Sequence, residues 1–425
     1  MTDPDQRLSQ WLDSPEVQRL DPEERDFLVA RAREYCFTHQ ELRRLAGIAA
    51  DFAMWPVSPL SESWPSEPVA GSPKARRRAL LRALEEQRER LREQPNRYAL
   101  VAPPRPAARI RRVTVEKERL GLGRCPVASP RTRCCNLMTL DAVENCGFDC
   151  SYCSIQSFYH GDEVRFDARF AEKLACLELD SERHYHIGTG QSSDSLMWGN
   201  QGGVLDALMD FARRNPNVIL ELKTKSKNVA YLLRHEIPAN VLVTWSLNTP
   251  ALIANEEHLT APLDERLRAA RRVADRGILI GFHFHPMIHY DRWREDYAAL
   301  FARLTREFSP DEVALVSLGT LTFIKPVMKQ LRQRRGFHSQ VLKMPLVESD
   351  GKLSYPDEIK QAMFRHAWQA LAAWHDKVFF YLCMENPRHW KPVFGFDYAS
   401  NREFEQAMMA AYREKIATRQ ETREA

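Results

Sequence analysis

The stretch LMTLDAVENCGFDCSYC, residues 137–153, decides how the rest of the chain is read. Its first seven residues read as a strand. Its end, Cys146-Gly-Phe-Asp-Cys150-Ser-Tyr-Cys153, is a C-x3-C-x2-C triad directly after that strand. Thiolates this close can wrap one metal centre. Three ligands on a four-iron cluster leave one iron open, and an open iron can bind a cofactor. Zinc wants a fourth protein ligand. None stands at conventional spacing, and Cys125, Cys134 and Cys135 are the upstream candidates. The bland alternatives are a zinc knuckle or unligated buried thiols. The place of the triad, after the first strand of a strand–helix series, weighs against both.

Downstream of the triad, short apolar runs alternate with longer helical patterns. Strands are expected at 137–143, 184–190, 218–225, 241–248, 277–286, 312–319 and 378–385, with helices such as 204–214, 263–276 and 292–308 between them. Buried strands alternating with helices mean an α/β fold with a parallel sheet. Six or seven such units suggest a full or partial β/α barrel, whose site lies at the C-terminal strand ends. Four strands carry one polar face: Glu221, Lys223 and Lys225; Thr244, Ser246 and Asn248; Gly281, His283 and His285; Tyr381, Cys383 and Glu385. Charged groups facing inward must be paired or meet a ligand. One such strand is most simply a solvated end, but four together favour a polar cavity.

Upstream, residues 1–55 read as helices, with Leu8, Trp11 and Leu12 and then Phe27, Leu28, Ala30, Ala32 and Tyr35 at helical spacing. Residues 56–74 are rich in Pro and Ser and read as a linker, 75–94 as a charged helix, and 101–118 as irregular. The chain has 425 residues, 44% hydrophobic and 28% charged, which excludes wholesale disorder and a fibrous fold. No apolar run is long enough to span a bilayer, and the polar, acidic N-terminus shows no secretory signal. The nine cysteines are odd in number and point to thiols and metal ligands rather than disulfides. A cytoplasmic protein is expected. Sixty-one basic against 57 acidic residues give a net charge of +4, which does not by itself announce nucleic acid.

CGFDCSYC at the end of a first strand resembles the radical S-adenosylmethionine (SAM) superfamily. The resemblance is closer to its spore photoproduct lyase and DNA-repair-photolyase-like branch. RCPVASPRTRCCNLMTL (124–140), TKSKNVAYLL (224–233), WSLN (245–248) and GFHFHPMIHYDRWREDY (281–297) follow in that family's order. The resemblance covers roughly 124–390. It implies a partial (β/α)6-type TIM barrel of the radical SAM kind over 121–390. A helical region (1–55) and a linker, charged helix and basic segment (56–120) precede it, and a helical tail (391–425) follows.

The same resemblance implies that Cys146, Cys150 and Cys153 hold a [4Fe–4S] cluster, that Tyr152 lies near the adenine of SAM, and that Lys225 and Ser246 touch SAM. Reductive cleavage of SAM to a 5′-deoxyadenosyl radical is implied, fed by an external electron donor of flavodoxin or ferredoxin type. The implied activity is lyase-type repair of a pyrimidine dimer in DNA. Two positions depart from the family. Gln191, in GTGQSSD (188–194), stands where the family places its hydrogen-donating cysteine, and Ser154 stands where it has a tyrosine. Cys383 is a candidate replacement donor. The alternatives are a radical SAM enzyme on a modified nucleic acid or a peptide, and a non-enzymatic metal-containing nucleic-acid-binding protein.

Other features have bland readings beside the sharp ones. His283, His285 and His289 have a metal-ligand spacing, but histidines in a polar strand mouth more often hydrogen-bond. Cys125, Cys134 and Cys135 read as structural thiols. The basic runs 74–78, 105–112 and 329–335 are candidates for phosphate contact, against the commoner solvated face. Trp293 and Trp390 can stack on a base or pack in a core.

Overall fold

In this computed structural model, residues 4–65, 71–100, 110–125, 131–154, 163–334 and 336–424 are described. All seven expected strands form, and an eighth precedes them. They are β1 Gly121–Arg124, β2 Met138–Asp141, β3 Tyr185–Thr189, β4 Val218–Thr224, β5 Val241–Ser246, β6 Ile280–Met287, β7 Val313–Thr320 and β8 Phe379–Leu382. They make one open sheet in which every strand pairs with its neighbours in sequence, from β1 at one edge to β8 at the other. β1 runs antiparallel to β2, and every other pair is parallel. The architecture is mixed α/β.

The interior strands are buried along nearly their whole length: every residue of β5 and β7, and all of β4 except Lys223. Parallel strands covered on both faces read as apolar runs, and these do apart from inward polar residues such as Glu221, Thr244 and Ser317. Helices Val204–Arg214, Leu263–Asp275, Trp293–Glu307 and Asp357–Ala370 supply crossovers. Strand β6 starts at Ile280 rather than at residue 277, because the preceding helix runs to Asp275 and the chain must turn back. The segment expected to be irregular at 101–118 contains a strand, Arg111–Val115, pairing in parallel with Glu163–Asp167. Its alternating Arg112, Val113, Thr114 and Val115 suit a strand, but the Arg and Pro around it hide the pattern.

The chain divides into two compact units: residues 98–322 with 349–425, which carry the large sheet, and 1–97 with 323–348. The second unit is helical, built from Pro4–Leu12, Pro15–Gln18, Pro22–Tyr35, His39–Met54, Pro73–Glu93 and Lys325–Gln333. Thr38 and Glu41 close a reciprocal capping box at the start of His39–Met54. Leu8, Trp11, Leu28, Ala32 and Tyr35 are buried as their spacing predicts. Ala30 is exposed, since the inward face at Leu28, Ala32 and Tyr35 puts it on the other side of the helix.

One cation of each basic run finds a carboxylate partner. The buried Asp51 carboxylate takes Arg332 Nε at 2.6 Å, with Arg88 and Arg92 at 3.6 and 3.8 Å. Arg77 lies 3.3 Å from Glu41, and Arg111 pairs with Glu163. Arg105, Arg109 and Arg335 lie outside the described residues. Trp293 and Trp390 are both buried, which places them in the core rather than at a stacking surface. No described helix is long and apolar enough to cross a membrane.

Candidate active site

The triad loop leaves the sheet after β2 and is pinned by backbone pairing. Asp149 and Cys150 form an antiparallel bridge with His258 and Glu257, and Ser151 N donates to Glu256 O at 2.8 Å. Gly147 lets the loop lie close against Met197 and Trp198, since a Cβ there would lie 2.3 Å from Met197 Cε and 3.0 Å from the Trp198 ring. Cys146, Cys150 and Cys153 all border one cavity of about 250 Å³ at the C-terminal strand ends. Burial, reinforced by the Asp194 carboxylate, pushes the Cys146 thiol up to about 12. Burial pushes Cys150 up as well. As free thiols they keep their protons, so metal binding would release them.

Tyr152, Lys225 and Ser246 line the same cavity. Lys225 Nζ donates to Ser246 Oγ at 2.9 Å, to Tyr152 Oη at 3.1 Å and to Glu257 Oε1 at 3.2 Å. Glu257 also accepts from the Tyr152 hydroxyl, and its other oxygen meets Arg266 Nη2 at 2.6 Å. Burial alone would push the Glu257 carboxyl up; Arg266 and Lys225 outweigh it and hold it at about 2. Arg266 is itself fully buried and also donates to Ala261 O and Ser246 O, at 2.7 and 2.8 Å. Every charge in this cluster has a partner, as burial demands.

Asp194 closes the near side. Its Oδ1 accepts from Leu196 N, Met197 N and Thr224 Oγ1, and its Oδ2 from Lys225 N at 2.6 Å. It thereby fixes the turn after β3 against the end of β4. Gln191 and Ser154, the two departures from the family pattern, both line the cavity. Cys383 follows β8 directly, and its neighbour Met384 lines the cavity. Burial pushes the Cys383 thiol up, so it keeps its hydrogen.

The inward polar faces of β4, β5 and β6 meet beneath the cavity. Glu221 accepts from Thr244 Oγ1 at 2.6 Å and lies 2.6 Å from His283 Nε2 and 2.9 Å from His186 Nε2. His283 and His285 are joined by Ser317, while His289 packs separately against Trp293 and Tyr355. Among the described residues, no three Cys, His, Asp or Glu side chains surround one point as a single-ion site requires. His283 and His285 thus serve as hydrogen-bonding groups, and the His289 ring as a packing one.

Sequence reasoning missed Glu257, Arg266 and His186. Glu257 follows Glu256 in a short connection, and its cation lies nine residues on in a helix, a pairing that only the fold creates. Asp194 ends the GTGQSSD segment (188–194), and its role as a clamp on Thr224 and Lys225 is visible only in the fold.

Comparison with known proteins finds one family. Residues 144–344 match the family model described as spore photoproduct lyase. The spore photoproduct lyase of Clostridium acetobutylicum is 24% identical over 181 residues, 41% of this chain and 53% of that protein. That of a Geobacillus species is 25% identical over 196 residues, 44% of this chain and 58% of that protein. The Bacillus subtilis enzyme is 34% identical over 92 residues, 22% of this chain and 27% of that protein. The chain thus spans about half the length of the first two curated relatives.

A solved spore photoproduct lyase complexed with dinucleoside spore photoproduct superposes with a TM-score of 0.52 at 20% identity, covering 64% of this chain and 82% of that one. A mutant with bound AdoMet and the same dinucleoside gives 0.53 at 17% identity, covering 75% and 88%. These likenesses concern the fold. The resemblance drawn from CGFDCSYC and its companion motifs is borne out.

Proposed function

We propose that this chain is a radical SAM enzyme of spore photoproduct lyase type, acting on a pyrimidine lesion in DNA. The observation that carries this reading is the convergence of Tyr152, Lys225 and Ser246 on the cavity bordered by Cys146, Cys150 and Cys153. We read the open sheet as a partial β/α barrel whose strand ends carry the site. Three soft thiol donors around one cavity suit an iron–sulfur cluster with one open iron. When reduced, such a cluster with bound SAM supplies a 5′-deoxyadenosyl radical, which takes a hydrogen atom from the substrate. The electron would come from a flavodoxin- or ferredoxin-type partner.

The chain's own part is binding and shielding. Lys225 offers its ammonium to the SAM carboxylate, giving up a hydrogen bond to do so, and Ser246 offers its hydroxyl. Glu257 is then not left as an orphan charge, because Arg266 still neutralises it. Tyr152 supplies a flat wall near the adenine. Cys383 is our candidate for returning a hydrogen atom to the product radical: its thiol keeps its S–H, and it adjoins a residue of the cavity wall.

A second reading is favoured by Gln191. An amide carries no readily abstracted hydrogen, so its presence at the family's donor position fits a radical SAM enzyme on another nucleic-acid or peptide substrate. Incubating the reconstituted enzyme and SAM with ultraviolet-irradiated DNA separates the two. Restored thymines support the first reading, and 5′-deoxyadenosine without repair supports the second.

A further inference from the structure

The cavity runs from the cysteine loop and the ends of β3, β4 and β5 to the ends of β6, β7 and β8, where His285, Thr320 and Met384 line it. With SAM held at the Cys146–Lys225–Ser246 end, the β6–β8 end is left for the second reactant. Two groups there are not used by the reading above.

The first is His285, whose tautomer is fixed by a chain of hydrogen bonds from the buried carboxylate. Glu221 only accepts, so His283 carries its proton on Nε2, 2.6 Å away. Burial, and next the Lys223 cation, hold His283 down at about 4, so it is neutral and its Nδ1 is an acceptor. The Ser317 hydroxyl lies 2.7 Å from that Nδ1 and must donate to it. Ser317 Oγ then accepts from His285 Nε2, also at 2.7 Å. Burial, Lys223 and His283 keep His285 neutral too, against the pull of Glu221, with Lys225 adding to the effect. His285 Nδ1 is left with a lone pair.

The surrounding backbone seats this ring. Pro286 has no N–H for the ladder, and the β6–β7 register shifts between Phe284 and Met287. Gly319 makes room, since a Cβ there would lie 3.1 Å from His285 Cδ2. The second group is Lys223, also on the cavity wall, whose ammonium forms no hydrogen bond or ion pair among the described residues. Its ammonium can therefore donate to a ligand in the cavity without breaking a contact within the protein.

We propose that His285 Nδ1 and Lys223 Nζ form a two-point recognition site for an imide edge, an N–H beside a C=O, on the substrate's nucleobase. His285 accepts from the N–H, as at thymine N3, and Lys223 donates to the adjoining carbonyl oxygen. Both are positioning residues for the substrate, and the Glu221–His283–Ser317 chain sets the tautomer. The proposal rests on the pyrimidine-substrate reading above.

The test is equilibrium binding of dinucleoside spore photoproduct and of its N3-methylated form to the reconstituted protein with SAM. N3-methylation should weaken binding by about tenfold or more, as expected when a buried acceptor loses its donor. That discrimination should vanish in His285→Leu and persist in His285→Asn, whose amide oxygen replaces Nδ1. Equal affinity of the wild-type protein for the two ligands overturns the proposal. Discrimination without SAM cleavage leaves it standing and sinks the radical reading instead. If neither ligand binds while 5′-deoxyadenosine still forms, the pyrimidine substrate and this proposal both fall. A ¹⁵N-histidine spectrum of the wild-type protein needs no variant: His285 should carry its proton on Nε2, and an Nδ1–H form contradicts the assignment.

Discussion

Lys225 Nζ stands 2.9 Å from Ser246 Oγ, joining the ends of two adjacent parallel strands. The two residues come from separate motifs 21 positions apart. Their meeting on the wall that also carries the three thiols makes one site out of short, individually weak signals.

Removing that ammonium should be felt by SAM first. In Lys225→Ala, SAM affinity is expected to fall about tenfold to a hundredfold, the worth of roughly 1.5–3 kcal/mol for a hydrogen bond to a charged group. Ser246→Ala should lose less. Equilibrium dialysis against labelled SAM checks both, and undiminished affinity in Lys225→Ala removes it from the cofactor site.

Arg266 should matter to stability beyond its distance from solvent. It is fully buried against Glu257 and two backbone carbonyls. Truncation in Arg266→Leu leaves a buried carboxylate with less compensation and should cost about 3–5 kcal/mol in urea unfolding. The double variant Arg266→Leu/Glu257→Leu should recover much of that loss. A shift no larger than that of a surface pair, below about 1 kcal/mol, would contradict the role.

The His283 imidazole gives stability a pH dependence of definite sign. Its folded value, about 4, lies below the ordinary 6.5. Between those values the unfolded chain binds a proton that the folded chain does not, so acidification through this window destabilises the fold. The cost approaches roughly 3 kcal/mol by pH 4. Glu257, held at about 2 against an ordinary 4.5, adds its own loss only at lower pH. Unfolding measured at pH 7 and pH 5 should show a steeper decline for the wild-type protein than for His283→Asn. Parallel declines would show that His283 does not carry the effect.

Cys383→Ala probes the end of the reaction rather than its start. SAM cleavage should persist, while product from an identified substrate should shift toward unquenched or misquenched radical adducts. Unchanged turnover together with an unchanged product distribution would remove Cys383 from the chemistry.

Much of this was legible in the residues. Alternation in β4, β5 and β6 put Glu221, Thr244 and His283 on inward faces, and the rule that buried charges find partners anticipated their network. The strands from β3 onward were readable because they are short apolar runs between helix patterns, and β2 because it leads into the cysteine triad. Less legible was what tertiary proximity creates. Glu257 and Arg266 lie on opposite sides of a turn, and His186 meets Glu221 only across paired strands. The strand Arg111–Val115 escaped because its partner, Glu163–Asp167, comes after the cysteine loop. Lys325–Gln333 belongs to the helical unit although it follows β7 in sequence, which periodicity cannot foresee.

The central claim is that Cys146, Cys150 and Cys153 hold a cluster that cleaves SAM. Its most direct test is anaerobic reconstitution with iron and sulfide, reduction with dithionite in the presence of SAM, and chromatography for 5′-deoxyadenosine, with Cys150→Ala alongside. The account predicts 5′-deoxyadenosine from the wild-type protein and none above background from the variant. A colourless protein that holds zinc and leaves SAM intact would contradict it.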